Sequence, residues 1–266
     1  MESEKEKVSK IKEYWDGQAE KYGADVSATM PDALLKDLEV RTICDHLGRS
    51  KNLLDVGCGN GYSTIKFAKA FQFLRVQGVD YSEKMIEAAN RTLKSEHKEL
   101  KARVSFAVGD ITDLKLKPGS FDTITTDRCL INLPNPQSQL LALANVHRVL
   151  QAGGIYLMCE DTIQGLSRIN EMRKSCSLST IPMRWHNQYI DEQAFLPVAK
   201  KLFEVIEINN FSSLYYIASR IFNAKLSEME GKEPSYNHPL NRIAVDLPSV
   251  GDYGPLKLFV LKKKRG

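Results

Sequence analysis

The 266 residues contain no run approaching the ~18 apolar residues needed to cross a bilayer. The first seven residues, Met1 to Lys7, are mostly charged and carry no apolar stretch of the kind found in a secretory signal. The five cysteines (Cys44, Cys58, Cys129, Cys159, Cys176) are odd in number and form no C-x-x-C pair. That pattern excludes a disulfide framework and offers no zinc or cluster site, so free thiols and no bound metal are expected. A cytoplasmic chain with no membrane contact follows from the same absences. The net charge of +4 lacks the concentrated basic stripe of a dedicated nucleic-acid binder. Internal repeats and low-complexity linkers are also missing. Apolar and charged contents are those of an ordinary globular protein, and the length suits one domain with a generous core and insertions.

Against this plain background one segment stands out. Leu53 to Gly61 reads L-L-D-V-G-C-G-N-G, and Gly78-Val79-Asp80 follows nineteen residues after Gly61. An apolar strand carries an acid, turns through three glycines and opens into a helix beginning at Tyr62. A second strand then delivers a second acid. Gly57, Gly59 and Gly61 let the backbone turn sharply and leave no Cβ between it and a ligand. Asp80 stands where a carboxylate accepts both hydroxyls of a ribose in doubly wound folds. The dinucleotide fingerprint is G-x-G-x-x-G; here the spacing is G-x-G-x-G, with Tyr62 at the third dinucleotide glycine. Asp55 at the loop mouth would repel a pyrophosphate. An adenosine carrying cationic groups and no phosphate fits better, and S-adenosylmethionine is such a molecule. A NAD(P) loop and a purely structural strand–helix turn are the alternatives.

At these residues the chain resembles the class I S-adenosylmethionine-dependent methyltransferases. Further segments follow the family order: the strand Val104 to Val108 with Gly109-Asp110-Ile111, then Ser120 to Ile124, then Arg148 to Gly154. The resemblance covers about residues 10 to 212 and a last strand near residue 260. It implies that Asp110 bonds the adenine amino group and Ile111 packs on the ring. It also implies that the string Tyr14 to Tyr22 folds over the cofactor, with Tyr14 and Tyr22 in contact. Cys58 in the loop, Tyr81 after Asp80, and Met85 in the next helix complete the expected cofactor set with Asp127 and Arg128 after the fourth strand. S-adenosylhomocysteine would be the product.

The alternation of strands and helices implies an α/β fold. We expect a doubly wound, mostly parallel seven-stranded sheet with helices on both faces and an insertion between the last two strands. Helices are expected over residues 3–22, 32–48, 83–95, Pro136 to about Leu150, 191–202 and 214–230. The caps Ser82 and Asn135-Pro136 mark two of the starts. Within a single domain of residues 1–266, residues 1–30 form a lid, and residues 163–190 and 213–255 form the walls of an acceptor pocket. The second wall is far longer than the hairpin of ~2–5 residues usual between neighbouring antiparallel strands.

Methyl transfer from a sulfonium is an in-line displacement whose leaving group is neutral. Positioning does most of the work, and a base is needed only for a nucleophile that is not already ionised. His186 is the base candidate with a suitable ordinary pKa; Glu160 and Asp161, at the end of the fifth strand, are others. Arg184, Trp185, Tyr189, Tyr215, Arg220 and Arg242, with Asn132, suggest a polar, aromatic-lined site for an anionic or sugar-like small molecule, methylated on oxygen. RNA or protein methylation is the alternative, and the local string L-P-N-P-Q lacks the (D/N)-P-P-(Y/F/W) pattern of base-amino methylases. A silent cofactor-binding regulator and aminopropyl transfer are further alternatives. The oligomeric state is not legible.

Overall fold

The computed structural model describes residues 3–265. Seven strands form one sheet: β1 (Asn52–Val56), β2 (Arg75–Asp80), β3 (Val104–Val108), β4 (Phe121–Asp127), β5 (Leu150–Asp161), β6 (Phe203–Asn209) and β7 (Leu256–Lys263). Their order is β3-β2-β1-β4-β5-β7-β6. All pairings are parallel except those of β7, which runs antiparallel to both β5 and β6. The order reverses between β1 and β4, and the crevice at the carboxyl ends beside that reversal is where open α/β sheets bind ligands.

Alternating side chains send neighbouring residues to opposite faces. Leu53 joins a core that includes Phe67 and Leu258, while Leu54 joins one that includes Ile124, Val146 and Phe259. Helices α2 (Ala33–Cys44), α3 (Tyr62–Ala70) and α4 (Glu83–Ser95) supply the first face, and α5 (Pro136–Val149) and α7 (Glu192–Leu202) the second. α4 starts where Ser82 accepts a bond from the Met85 N–H, and α5 where Asn135 accepts one from Ser138. α1 (Glu4–Tyr22) opens on a capping box between Ser3 and Glu6. Among the described residues no helix is long and apolar enough to cross a membrane.

Three expectations are adjusted. α5 ends at Val149, and Gly153-Gly154 lies inside β5 rather than before it. Gly153 takes φ +76° at an irregularity where the β4–β5 register shifts between Phe121 and Thr123. This is a bulge, which keeps a strand going while bending it. The stretch after Thr162 is not all loop: α6 (Ile163–Ser175) forms there, capped by Thr162. The insertion helix is α8 (Ser213–Ile217), a π-helical turn (Ala218–Phe222) and α9 (Asn223–Met229), followed by a short α10 (Pro239–Ala244).

Candidate active site

The glycine loop leaves β1 and enters α3. Gly57, Gly59 and Gly61 all take left-handed angles, φ +74°, +53° and +82°. A Cβ on Gly57 would lie 2.6 Å from Cys129, and one on Gly59 2.8 Å from Thr29. The loop therefore closes on its neighbours with room for backbone only. Gly57 N donates to the Val79 carbonyl at 2.8 Å, which ties the loop to β2.

The acids differ in what they do. Asp80 accepts the Gly59 N–H and the Ser82 N–H, each at 2.9 Å, and borders the cavity. Burial raises its carboxyl to about 6 against the pull of those two donors. Asp55 is buried and accepts the Thr64 hydroxyl at 2.5 Å; burial raises it to about 7. It braces strand to helix beneath the loop and still reaches the cavity wall. Asp110 accepts the Thr112 N–H and hydroxyl at 2.8 Å.

Two adjoining cavities meet at Gly57, Tyr81, Cys129 and Asn132. The smaller is walled by Asp110 and Ile111 after β3, by Leu133 and Leu141, and by Val8 and Ile11 of α1. It is a largely apolar space with two acids, Glu4 and Asp110, in its lining, which suits an adenine. The larger holds Asp80, Asp55, Cys58, Gly59, Met85, Asp127 and Arg128, and continues to Asp161, Arg184, His186, Tyr189, Tyr216 and Arg220. The residues present thus fit S-adenosylmethionine: the glycine cradle admits no added Cβ, and the buried Tyr81 hydroxyl has no partner among the described residues.

Beside the loop lies a buried ion cluster. Lys36 of α2 pairs with Asp127 and, at 3.1 Å, with Glu39; Arg128 Nε lies 3.2 Å from Glu39. Burial raises Glu39 to about 8, whereas Lys36 and Arg128 overcome the burial of Asp127 and hold it below the usual carboxylate range. Arg128 itself sits at φ 54°, a strained angle for a residue with a side chain. Asp127 is thus committed to Lys36 rather than free for the ligand. Lys36, Glu39 and Asp32 were missed in the sequence. Their i, i+4, i+7 spacing from the N-cap Asp32 along one face of α2 was the available signal.

The remaining candidates divide. Tyr14 stacks on His186, and Tyr22 packs with Trp15, Ala19, Ala28 and Met85; of these α1 rings only Trp15 reaches the cavity. Gly61 starts α3 against Phe106 rather than facing the cavity. Asn132 accepts a bond from Asn187 at 3.1 Å and borders both cavities. Tyr215 is buried and donates to Asp32 at 2.7 Å, away from the cavity. Trp185 is exposed, and the Arg242 side chain bonds the Asn237 carbonyl, outside the site. Tyr216 and Tyr236, by contrast, line the wall, and Arg220 is sandwiched between them at 5.3 and 4.9 Å while paired with Asp32 at 2.8 Å.

Glu160 does not line the cavity. It is fully buried, and it accepts the backbone N–H groups of Cys129, Leu130 and Ile131 at 3.0–3.2 Å. The expectation of a base there gives way to a clamp that shapes the turn after β4. The strand pleat turns Asp161 the other way, into the cavity. His186 borders the cavity, but burial and the nearby Arg184 lower it to about 4, which makes it a weak base at neutral pH. Among the described residues no group of three or more His, Cys, Asp or Glu is arranged to hold a metal.

Residues 47–207 match a family described as a methyltransferase domain. A demethylmenaquinone methyltransferase of Staphylococcus aureus is 33% identical over 132 residues, 49% of this chain and 48% of that protein. The chain thus spans about half or less of the curated relatives it matches. Among solved structures, a putative methyltransferase complexed with the Trm112 activator of Haloferax volcanii superposes with TM-score 0.61 at 16% identity, over 94% of this chain and 98% of that one. A geranyl diphosphate methyltransferase bound to its substrate and sinefungin gives 0.54 at 17% identity, over 87% and 78%. These two likenesses speak to the fold. With the glycine cradle and the two adjoining cavities described, the match over residues 47–207 shows that the chain belongs to the methyltransferase domain family.

Proposed function

We propose that this enzyme transfers the methyl group to an oxygen of a small molecule held between the two insertions. The observation that carries this reading is the continuity of one cavity. It runs from Asp80 and the glycine loop to Leu166, Ile181, Pro182, Arg184, Tyr216 and Tyr236, which come from residues 163–190 and 213–255. A concave space walled by aromatics with a few polar groups is the usual form of a small-molecule site. S-adenosylmethionine supplies an electrophilic methyl group on a sulfonium. The chain's part is to hold the acceptor in line with it and to exclude water, worth roughly 7–11 kcal/mol when alignment is good.

The anionic character expected of the acceptor narrows to one residue. Arg128 is occupied by Glu39 and Arg220 by Asp32. Arg184 is exposed, borders the cavity and makes no side-chain hydrogen bond or ion pair among the described residues. It is available to an anionic substituent on the acceptor. Incubation with radiolabelled S-adenosylmethionine and a fractionated extract tests the reading. Label in the small-molecule fraction supports it; label confined to RNA or protein replaces it with the alternative.

A further inference from the structure

Asp161 is the last residue of β5, at the carboxyl edge of the sheet where ligands bind. Its backbone is fixed on both sides: its carbonyl accepts the Ile190 N–H at 2.9 Å, and β7 pairs with it through Leu256. Its side chain is 6% exposed, borders the larger cavity, and makes no hydrogen bond or ion pair among the described residues; Oδ1 is fully enclosed without a partner. Every other carboxylate on that wall is engaged. Asp32 holds Tyr215 and Arg220, Asp55 holds Thr64, Asp80 holds two backbone N–H groups, and Asp127 holds Lys36. A buried carboxylate left without a donor is costly, so a donor supplied by the ligand is the natural completion.

We propose that Asp161 takes the proton from the hydroxyl that is methylated, and that this hydroxyl belongs to a phenol or an enol. The proposal rests on the small-molecule oxygen reading above. As the O–H proton passes to the Asp161 carboxylate, the oxygen lone pair forms the O–CH₃ bond. The S–CH₃ bond breaks and its electron pair stays on sulfur, giving the neutral thioether of S-adenosylhomocysteine. The proton then leaves Asp161 for water when product departs.

The surroundings suit that step. From the β4 end, Arg128 and Asp127 act on Asp161 with opposite signs; Arg184 from the loop before α7 and Arg220 from the π turn favour its ionised form. Burial works the other way and is the larger effect, leaving Asp161 at about 6. At neutral pH it is therefore mostly ionised and ready to accept. Tyr189 and Tyr216 face it, and both phenols are raised, Tyr189 chiefly by the Asp161 charge and Tyr216 chiefly by burial. They remain protonated and do not compete as bases. A carboxylate of this strength takes a proton from a phenol, ordinarily near 10, far more readily than from an aliphatic alcohol. The flanking rings of Tyr189, Tyr216 and Tyr236, with Ile181 and Pro182, suit a flat acceptor.

The test uses the full chain, radiolabelled S-adenosylmethionine and four acceptors: catechol, 4-nitrophenol, benzyl alcohol and benzoate. Label is expected in the two phenols and in neither of the others, with a catechol rate that rises with pH through about 6. Asp161→Asn is expected to lower the catechol rate by about 100-fold or more, the lower bound for a positioned base. It should also remove the rise with pH, leave cofactor binding by calorimetry unchanged, and spare 4-nitrophenol at pH 8, where that acceptor ionises unaided. A catechol rate within threefold of wild type in Asp161→Asn overturns the role of Asp161. Labelling of benzyl alcohol or benzoate in preference to the phenols, or of no phenol at all, overturns the acceptor class. In the extract experiment, label in small molecules that carry no phenol or enol removes this inference and leaves the small-molecule reading standing. Label only in RNA or protein removes both.

Discussion

The ring of Tyr14 lies stacked on His186, with centroids 4.4 Å apart and planes 24° from parallel. Trp15 and Trp185 meet the same imidazole edge-on at 5.7 and 5.3 Å. This cluster fastens α1 to the loop before α7, and α1 in turn walls the smaller cavity with Val8 and Ile11. The sequence suggested a lid and, separately, a base; the structure joins the two residues in one latch.

Loosening that latch should weaken cofactor retention without altering the chemistry. An aromatic pair contributes about 0.5–1.5 kcal/mol beyond burial. Tyr14→Ala is therefore expected to weaken S-adenosylmethionine binding about 2- to 13-fold by calorimetry, with an unaltered pH–rate profile. Because burial lowers His186 from its ordinary 6.5 to about 4, the latch holds above pH 6.5 and weakens as pH falls toward 4. Hydrogen-exchange protection of residues 4–22, taken relative to the intrinsic amide rate at each pH, should fall over that window in wild type.

Asp80, buried at the cavity wall beside the glycine loop, is expected to contribute to cofactor affinity through its charge. Hydrogen bonds to a charged group contribute about 1.5–3 kcal/mol each, so Asp80→Asn should weaken binding by roughly 10- to 100-fold. With the wild-type carboxyl raised to about 6 by burial, its acceptor form is lost as pH drops. Calorimetry between pH 8 and pH 5 should show affinity falling through pH 6 in wild type and a flatter profile in the variant.

Glu160 links stability to pH. Burial raises its carboxyl from the ordinary 4.5 to about 8, outweighing three backbone N–H donors. The folded state thus holds this proton more tightly than the unfolded chain. Its contribution is complete below pH 4.5 and is lost as pH rises through 8. Thermal melts should show wild-type Tm falling between pH 6 and 9 and Glu160→Gln falling less. Glu160→Ala leaves three buried N–H groups without an acceptor, at a cost of about 1–3 kcal/mol each, and should lower Tm at every pH.

Asp32 anchors the insertion. It caps α2 through the Leu35 N–H at 3.2 Å, accepts the Tyr215 hydroxyl and pairs with Arg220. Removing one member of a buried pair costs about 3–5 kcal/mol; Arg220 retains some solvent access, so Asp32→Ala should cost nearer 3. Limited proteolysis should then cut first within residues 213–255, and Arg220 should lose its place between Tyr216 and Tyr236.

The cofactor half of this protein was written locally. Strand, acid, glycines, helix and second acid fall within residues 53–80, and their spacing alone places them around one ligand. The caps Ser82 and Asn135 likewise located α4 and α5 to within a few residues, because those signals act over one or two turns of chain, while the family resemblance located β4. The rest of the cavity wall depended on contacts between segments about thirty to nearly two hundred residues apart. Arg220 is spent on Asp32, 188 positions away, so the sequence overcounted the free arginines. Glu160 and Asp161 are adjacent acids with nothing in their types to separate them. The pleat of β5, fixed by β4 on one side and β7 on the other, turned Glu160 onto the Cys129–Ile131 turn and Asp161 into the cavity. The sequence by itself determined the cofactor loop and the reaction class, because both rest on short-range backbone geometry. Only the tertiary structure decided which charges are neutralised and which acid faces the cavity, because pairing and burial are properties of the packed chain.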